Sequence, residues 1–368
     1  MRVDDVGQLE IIDPGLEDLA LLQQIDPRYA IQTEPLPGFV RPRFLALREV
    51  RTEVSQSALA ERPLPTLWAA HDQALAAWRT GAGGLAGEGA SLLDLKTAIA
   101  RRLLDACVLC ARRCGVDRAS GQTGLCGLKD EAFVAEHFVH IGEEPAINPS
   151  LALNFRGCAL RCKACQQHAL LDTRASDRER LTPDLWDELD FSGARSLSMI
   201  GGNPDESLAA ILEFLRAAPL DFALPIVWNN HAYMTAEVIR LLAGVVDAYV
   251  PDLKFDREAC ARAYTHVSGY AETARGSIEQ LLQDGVPVLV RILILPGHSA
   301  CCHAPSLAWL AERNAENLFV SLRGQYAPDW RVTAQDAGLA TRVAPAELTA
   351  LTASARSLGL QLVAPGAG

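Results

Sequence analysis

From residue 151 to residue 322 the chain repeats one unit: a short apolar run, a polar or glycine-rich loop, then an amphipathic stretch. Strand-like runs fall at 151–155, 196–201, 225–229, 247–253, 287–294 and 317–322, and helical periodicity falls between them at 205–217, 235–243, 271–284 and 304–314. Alternation of this kind implies a parallel sheet covered by helices. A repeat of roughly 30 residues is that of a β/α barrel. Six units predict a protein of the α/β class built as an open, partial (β/α)6 barrel. In such a fold the reactive groups collect at the C-terminal ends of the strands.

Those strand ends carry a consistent set of side chains. The first runs through a turn at Arg156-Gly157 into Cys158-x3-Cys162-x2-Cys165. Three thiolates in one compact loop can hold three irons of a [4Fe–4S] cluster and leave the fourth iron open to a small molecule. The same open-position logic separates catalytic from closed zinc sites. The second strand ends in Gly201-Gly202-Asn203-Pro204, where two glycines permit close backbone approach. The third ends in Asn229-Asn230-His231. The fourth ends in Asp252-Leu253-Lys254, whose two charged side chains share one face because strands alternate. The fifth carries Arg291 inside an apolar run, and a charge placed there requires a partner, either a bound carboxylate or a structural ion pair.

A second cysteine group precedes the repeat, Cys107-x2-Cys110-x3-Cys114-x11-Cys126, with Gly115, Gly121, Gly124 and Gly127 around it. Four thiolates suit a closed site, structural or electron-relaying, and the spacing leaves zinc and a second iron–sulfur cluster equally open. Ten cysteines in a chain expected to be cytoplasmic point to metal ligation, because disulfides are disfavoured in a reducing compartment. Three lie outside both groups: Cys260, Cys301 and Cys302. Glu143 and Glu144 fit either a site wall or a solvated turn. Arg112 and Arg113 are expected at the surface.

The formal net charge of −11 excludes a nucleic-acid-binding surface built on clustered Lys and Arg. No run reaches the roughly 20 apolar residues of a membrane span, and the first residues lack a signal-peptide core. Residues 64–79 read as a helix whose His71, Trp68 and Trp78 pack a core, and 81–89 as a Gly/Ala-rich loop. The expected organisation is a mainly helical accessory region at 1–95, a small cysteine-rich metal-binding segment at 96–150, the partial barrel at 151–335 and a helical tail at 336–368.

Taken together, the cysteine loop, Cys107-Val-Leu-Cys with Cys114-Gly-Val-Asp-Arg, Gly142-Glu-Glu-Pro, Val227-Trp-Asn, Pro251-Asp-Leu-Lys, Arg291 with Leu295-Pro-Gly-His, and Gln325-Tyr resemble the radical S-adenosylmethionine (radical SAM) superfamily. Within it they resemble the branch similar to pyruvate formate-lyase activating enzymes with an extra N-terminal cysteine region. The resemblance covers roughly residues 105–330. It implies a [4Fe–4S] cluster on Cys158, Cys162 and Cys165. It also implies SAM held by Gly201, Gly202, Asn203, Asn229, Asp252, Lys254 and Arg291, with Arg291 on the SAM carboxylate. Where that family usually has Gly-Gly-Glu, this chain has Asn203, with Asp205 two residues on, so a carboxylate contact there is in doubt. The implied reaction is reductive cleavage of SAM to a 5′-deoxyadenosyl radical that takes a hydrogen atom from a substrate carbon. A flavodoxin or ferredoxin would supply the electron. A small polar substrate such as a carbohydrate, in an epimerisation or related reaction, suits a mouth closed by the N-terminal region, and Cys260 is the first candidate for returning hydrogen, ahead of Cys301 and Cys302. The alternatives are activation of a glycyl-radical enzyme and a non-catalytic iron–sulfur protein.

Overall fold

The computed structural model describes residues 2–3, 9–10, 15–25, 31–81, 88–336 and 338–364. Most of the Gly/Ala-rich loop expected at 81–89 lies outside them. The centre of the molecule is one open sheet of eight strands. In chain order these are β1 (Phe133–His140), β2 (Ser150–Phe155), β3 (Glu179–Arg180), β4 (Ser196–Gly201), β5 (Ile226–Asn230), β6 (Ala248–Pro251), β7 (Val288–Leu293) and β8 (Leu318–Arg323). The order across the sheet is β8-β7-β6-β5-β4-β2-β1-β3.

The six strands from β2 to β8, leaving out β3, run parallel and sit beside their sequence neighbours. They are the six expected runs, displaced by a few residues at most. Their buried, branched and aromatic side chains on both faces explain why they read as near-continuous apolar segments rather than alternating ones. The six-stranded expectation is corrected by β1 and β3. These two extend the sheet antiparallel, β1 pairing β2 from Val134 opposite Phe155 to His140 opposite Ser150. β1 went unrecognised because it carries Glu136, His137 and His140 on a half-buried edge region.

The crossover helices lie where the periodicity put them: α3 (Leu208–Arg216), α4 (Ala236–Leu242), α6 (Tyr270–Leu282) and α7 (Ala304–Arg313), with α5 (Glu258–Thr265) added after β6. Before the sheet come α1 (Leu64–Arg79) and α2 (Leu92–Arg102), and after it α8 (Pro345–Ser357). A capping box starts α2: the Ser91 hydroxyl accepts from the Asp94 N–H at 3.0 Å, and the Asp94 carboxylate accepts from the Ser91 N–H at 3.1 Å.

The N-terminal helices share one apolar core with the sheet's helices. Leu67, Leu92, Leu95 and Ile99 are wholly buried in the same cluster as Ile211, Phe214 and Leu241. Polar links reinforce the docking. Asp247, buried at the foot of β6, accepts the backbone N–H groups of Arg43 and Ile226. Arg43 and Arg79 both reach Asp284, whose side chain is 4% exposed. Buried Lys96 donates to the Arg240 carbonyl at 3.1 Å and touches His71 Nε2 at 2.8 Å. Burial pulls the Lys96 ammonium down to about 7 and His71 down to about 3, so His71 is a neutral core histidine, as its helical position implied.

Candidate active site

The C-terminal ends of the parallel strands surround a cavity of about 310 Å3. Cys158, Cys162 and Cys165 line it, and so do Gly201, Gly202, Asn203, Asn229, Asp252, Lys254 and Arg291. Every side chain assigned from sequence to the cluster or to SAM therefore faces one space. Cys107, Cys110, Cys114, Cys126 and Cys260 lie outside its lining.

The cysteine loop is held from several sides. The Ala159 N–H donates to Glu206 Oε1 at 2.9 Å, and the Ala159 carbonyl accepts from Arg112 Nε at 2.6 Å. The Lys163 N–H donates to the Tyr264 carbonyl at 2.7 Å, and Lys163 Nζ meets Asp336 at 2.5 Å. Arg112 is thus half-buried and positions the loop, a correction to its expected surface role. Burial pushes the Cys162 thiol up to about 12 and Cys165 up to about 11. The three thiols of the loop share a cavity wall and become thiolates when a metal replaces their protons.

Gly201 and Gly202 are glycines because the neighbouring strand leaves no room. A Cβ on Gly201 would sit 2.4 Å from the Phe155 nitrogen, and one on Gly202 would sit 2.3 Å from the Gly157 oxygen. Gly201 also has φ +101°, which other residues rarely adopt. The pair lets β4 press its end against the approach to the cysteine loop, a packing need that the strand-end reading did not include.

Asn203 is 1% exposed. Its Nδ2 donates to Glu206 Oε2, and its Oδ1 accepts the His231 N–H at 3.2 Å. Asp205 turns into the core, accepting from Trp228 Nε1 at 2.7 Å and Asn230 Nδ2 at 3.1 Å, and does not line the cavity. It therefore offers the cavity no carboxylate. Glu206 was missed by sequence reasoning and proves central. Besides Ala159 and Asn203 it faces His231, whose Nε2 lies 3.6 Å from Oε1. The His231 Nδ1 accepts the Tyr233 N–H, an arrangement of the neutral ring with its proton on Nε2. Burial also works against charge on His231, whereas the Cys158 sulfur and Glu206 favour the charged ring and push its pKa up.

Asp252 and Lys254 do share a face, with Lys254 Nζ 2.6 Å from Asp252 Oδ2. Burial alone would lower the lysine; Asp252 reverses this and keeps it charged. Arg291 is paired within the protein. It holds Glu143 and, through Nε at 2.9 Å, Glu144, while Arg323 holds Glu144 at 2.8 Å and the Gly142 carbonyl. Glu143 and Glu144 are 2% and 0% exposed, so the solvated-turn reading is excluded. Burial would raise both carboxyls, but the two guanidiniums hold them below the usual glutamate range. Arg323 had no sequence signal beyond its place at the last strand's end.

The second cysteine group gathers behind the loop. Cys107, Cys110 and Cys126 are buried and Cys114 is exposed. Gly124 lies between the Cys114 and Cys126 sulfurs. Arg118, 1% exposed, reaches Cys107 Sγ at 3.7 Å and also donates to the Glu206 and Lys129 carbonyls. One tetrahedral zinc ion at about 2.3 Å from each thiolate would set the sulfurs about 3.8 Å apart. Among the described residues, the trio of ligating atoms that closes to within 4.8 Å of one another is Cys260, Cys301 and Cys302. Neither sequence-spaced group is gathered that tightly.

No family model matches the chain. A relative, uncharacterized protein MJ0674 of Methanocaldococcus jannaschii, is 31% identical over 251 residues, covering 66% of this chain and 72% of the relative. The chain belongs to the same family as MJ0674. Among solved structures, SuiB of Streptococcus suis bound to S-adenosylmethionine matches at 15% identity and a TM-score of 0.41, over 57% of this chain. A second SuiB structure matches at 16% identity and 0.38, over 59% of this chain. In both, this chain spans about half of the SuiB chain. Among the described residues no helix is long and apolar enough to cross a membrane.

Proposed function

We propose that the chain is a radical SAM enzyme acting on a small polar substrate. The observation that carries this reading is that Cys158, Cys162 and Cys165 share one cavity with Gly201, Gly202, Asn203, Asp252 and Lys254 at the C-terminal edge of the parallel strands. The donor set fits a [4Fe–4S] cluster with one open iron: three thiols from one loop on a cavity wall, beside a lysine that Asp252 keeps charged. A reduced cluster bound there supplies the electron for cleavage of SAM to a 5′-deoxyadenosyl radical.

The chain's own residues position and screen. Lys254, steadied by Asp252, is placed to hold a carboxylate, and Arg291, held by Glu143 and Glu144, also lines the cavity. Glu206 fixes the loop through Ala159 and orients His231 toward Cys158. The second cysteine group, four thiols adjoining buried Arg118, suits a closed centre holding zinc or a further iron–sulfur cluster. Gln166, Gln167, Asn154, His140 and Gln325 give the cavity hydrogen-bonding walls suited to a hydroxylated molecule.

The test is anaerobic reconstitution, iron counting and assay for 5′-deoxyadenosine from SAM under dithionite. Iron with SAM cleavage supports the reading, and a complement near eight irons supports two clusters. Iron without cleavage overturns it. Deuterium passing from a labelled polyol into 5′-deoxyadenosine would support the substrate class.

A further inference from the structure

We propose that Cys260, Cys301 and Cys302 form a third metal site, one that takes a single thiophilic divalent ion with zinc as its reference. The three cysteines lie outside the cavity lining, and the inference rests on their geometry. The Cys260 and Cys301 sulfurs are 3.9 Å apart, the Cys301 and Cys302 sulfurs 3.8 Å apart, and all three lie within 4.8 Å of one another. Those separations match the roughly 3.8 Å that tetrahedral thiolates adopt around one zinc ion at about 2.3 Å.

The convergence is built by the backbone. Adjacent residues on an α-helix do not face each other, yet Cys301 and Cys302 share this corner. They lie in a single π-type turn, Ser299–His303, just before α7, where the His298 carbonyl accepts the N–H groups of both Cys302 and His303. Such turns are often found at functional sites. Cys260 reaches the pair from α5, 41 residues away.

No fourth His, Cys, Asp or Glu atom joins the trio at that reach among the described residues. The fourth position is open to water or a small exogenous thiol, the arrangement of three protein ligands plus one exchangeable ligand. Cys260 and Cys301 are half-buried, which gives an ion a way in. Tyr264 stands one turn from Cys260 on α5, feels all three thiols, and also lines the cavity, so an occupied site would brace that wall.

The experiment compares the full-length protein with Cys260→Ser and Cys301→Ser after anaerobic loading with iron and then Zn2+, removing loose metal with a weak chelator. The expected result is one zinc fewer per chain in each variant at unchanged iron. Co2+ loading should give intense thiolate charge-transfer and tetrahedral bands that both variants lose. Equal zinc in wild type and variants overturns the proposal. A measurement without variants guards against misfolding: zinc should protect Cys260 and Cys301 of the wild-type protein from alkylation, read by peptide mass spectrometry, and undiminished labelling overturns the proposal as well. Neither readout depends on SAM cleavage.

Discussion

The two sequence-spaced cysteine groups are close in space and unlike in setting. Cys158, Cys162 and Cys165 sit on a strand-end loop that opens to the cavity, whereas Cys107, Cys110 and Cys126 are buried behind it, away from the cavity lining. Three ligands with open space beside them suit exchange with a small molecule; four without it suit a closed centre. One residue joins them. Glu206 holds the loop with its carboxylate and receives Arg118 of the other group with its carbonyl. Their difference therefore lies in what each group faces rather than in ligand type.

The sharpest way to break this contrast is to delete one ligand from each group. Cys162→Ser should abolish 5′-deoxyadenosine formation, while Cys126→Ser should lower bound metal and leave SAM cleavage by the loop measurable. Loss of cleavage in Cys126→Ser at intact loop iron would show that the second group takes part in the reaction. A smaller effect is expected where the two groups meet. Glu206→Gln keeps the shape but removes the charge facing Ala159 and His231, and should weaken cluster retention or activity about 10- to 100-fold, as outer-shell changes do. Iron retention during chelator challenge, alongside turnover, would check this.

Stability separates the cavity's far wall from its cysteine wall. Arg291→Met leaves Glu143 and Glu144 short of a buried partner and should destabilise the fold by about 3–5 kcal/mol in denaturant titration. Both carboxyls are held below the usual glutamate range, so their contribution is present at neutral pH and is lost as pH falls below that range. Acidification should therefore cost the wild type more stability than Arg291→Met, and matching pH profiles would contradict the pairing. The smallest effect expected is for Gly202→Ala. Its new Cβ would push on the Gly157 carbonyl and should cost about 1–3 kcal/mol, with some loss of loop iron.

Sequence pattern revealed much of what was local. The parallel strands announced themselves by apolar runs, the cysteine loop by its spacing, and Asp252 and Lys254 by their parity. What escaped depended on distant segments meeting. Glu206 is an ordinary acid in a short turn until Ala159, Asn203 and His231 close around it. Arg291 read as needing a partner, but that partner lay about 150 residues away, in a loop that read equally well as solvated. Cys260 could be flagged as a thiol outside both groups, yet its place beside Cys301 and Cys302 follows from a π turn with no sequence signature. β1 was hidden by polar residues that an edge region tolerates.

The docking of the N-terminal helices has a consequence for how such chains can be cut and recombined. Asp247 and Asp284 are nearly buried, and Arg43 serves both, with Arg79 adding a second cation at Asp284. A chain trimmed to the strand–helix repeat would keep two inward-facing acids and lose the arginine groups that answer them, leaving Asp247 with the Ile226 N–H and Asp284 with the Tyr249 hydroxyl. The leading segment is therefore no detachable adaptor. Moving it between relatives would require moving these acidic corners with it.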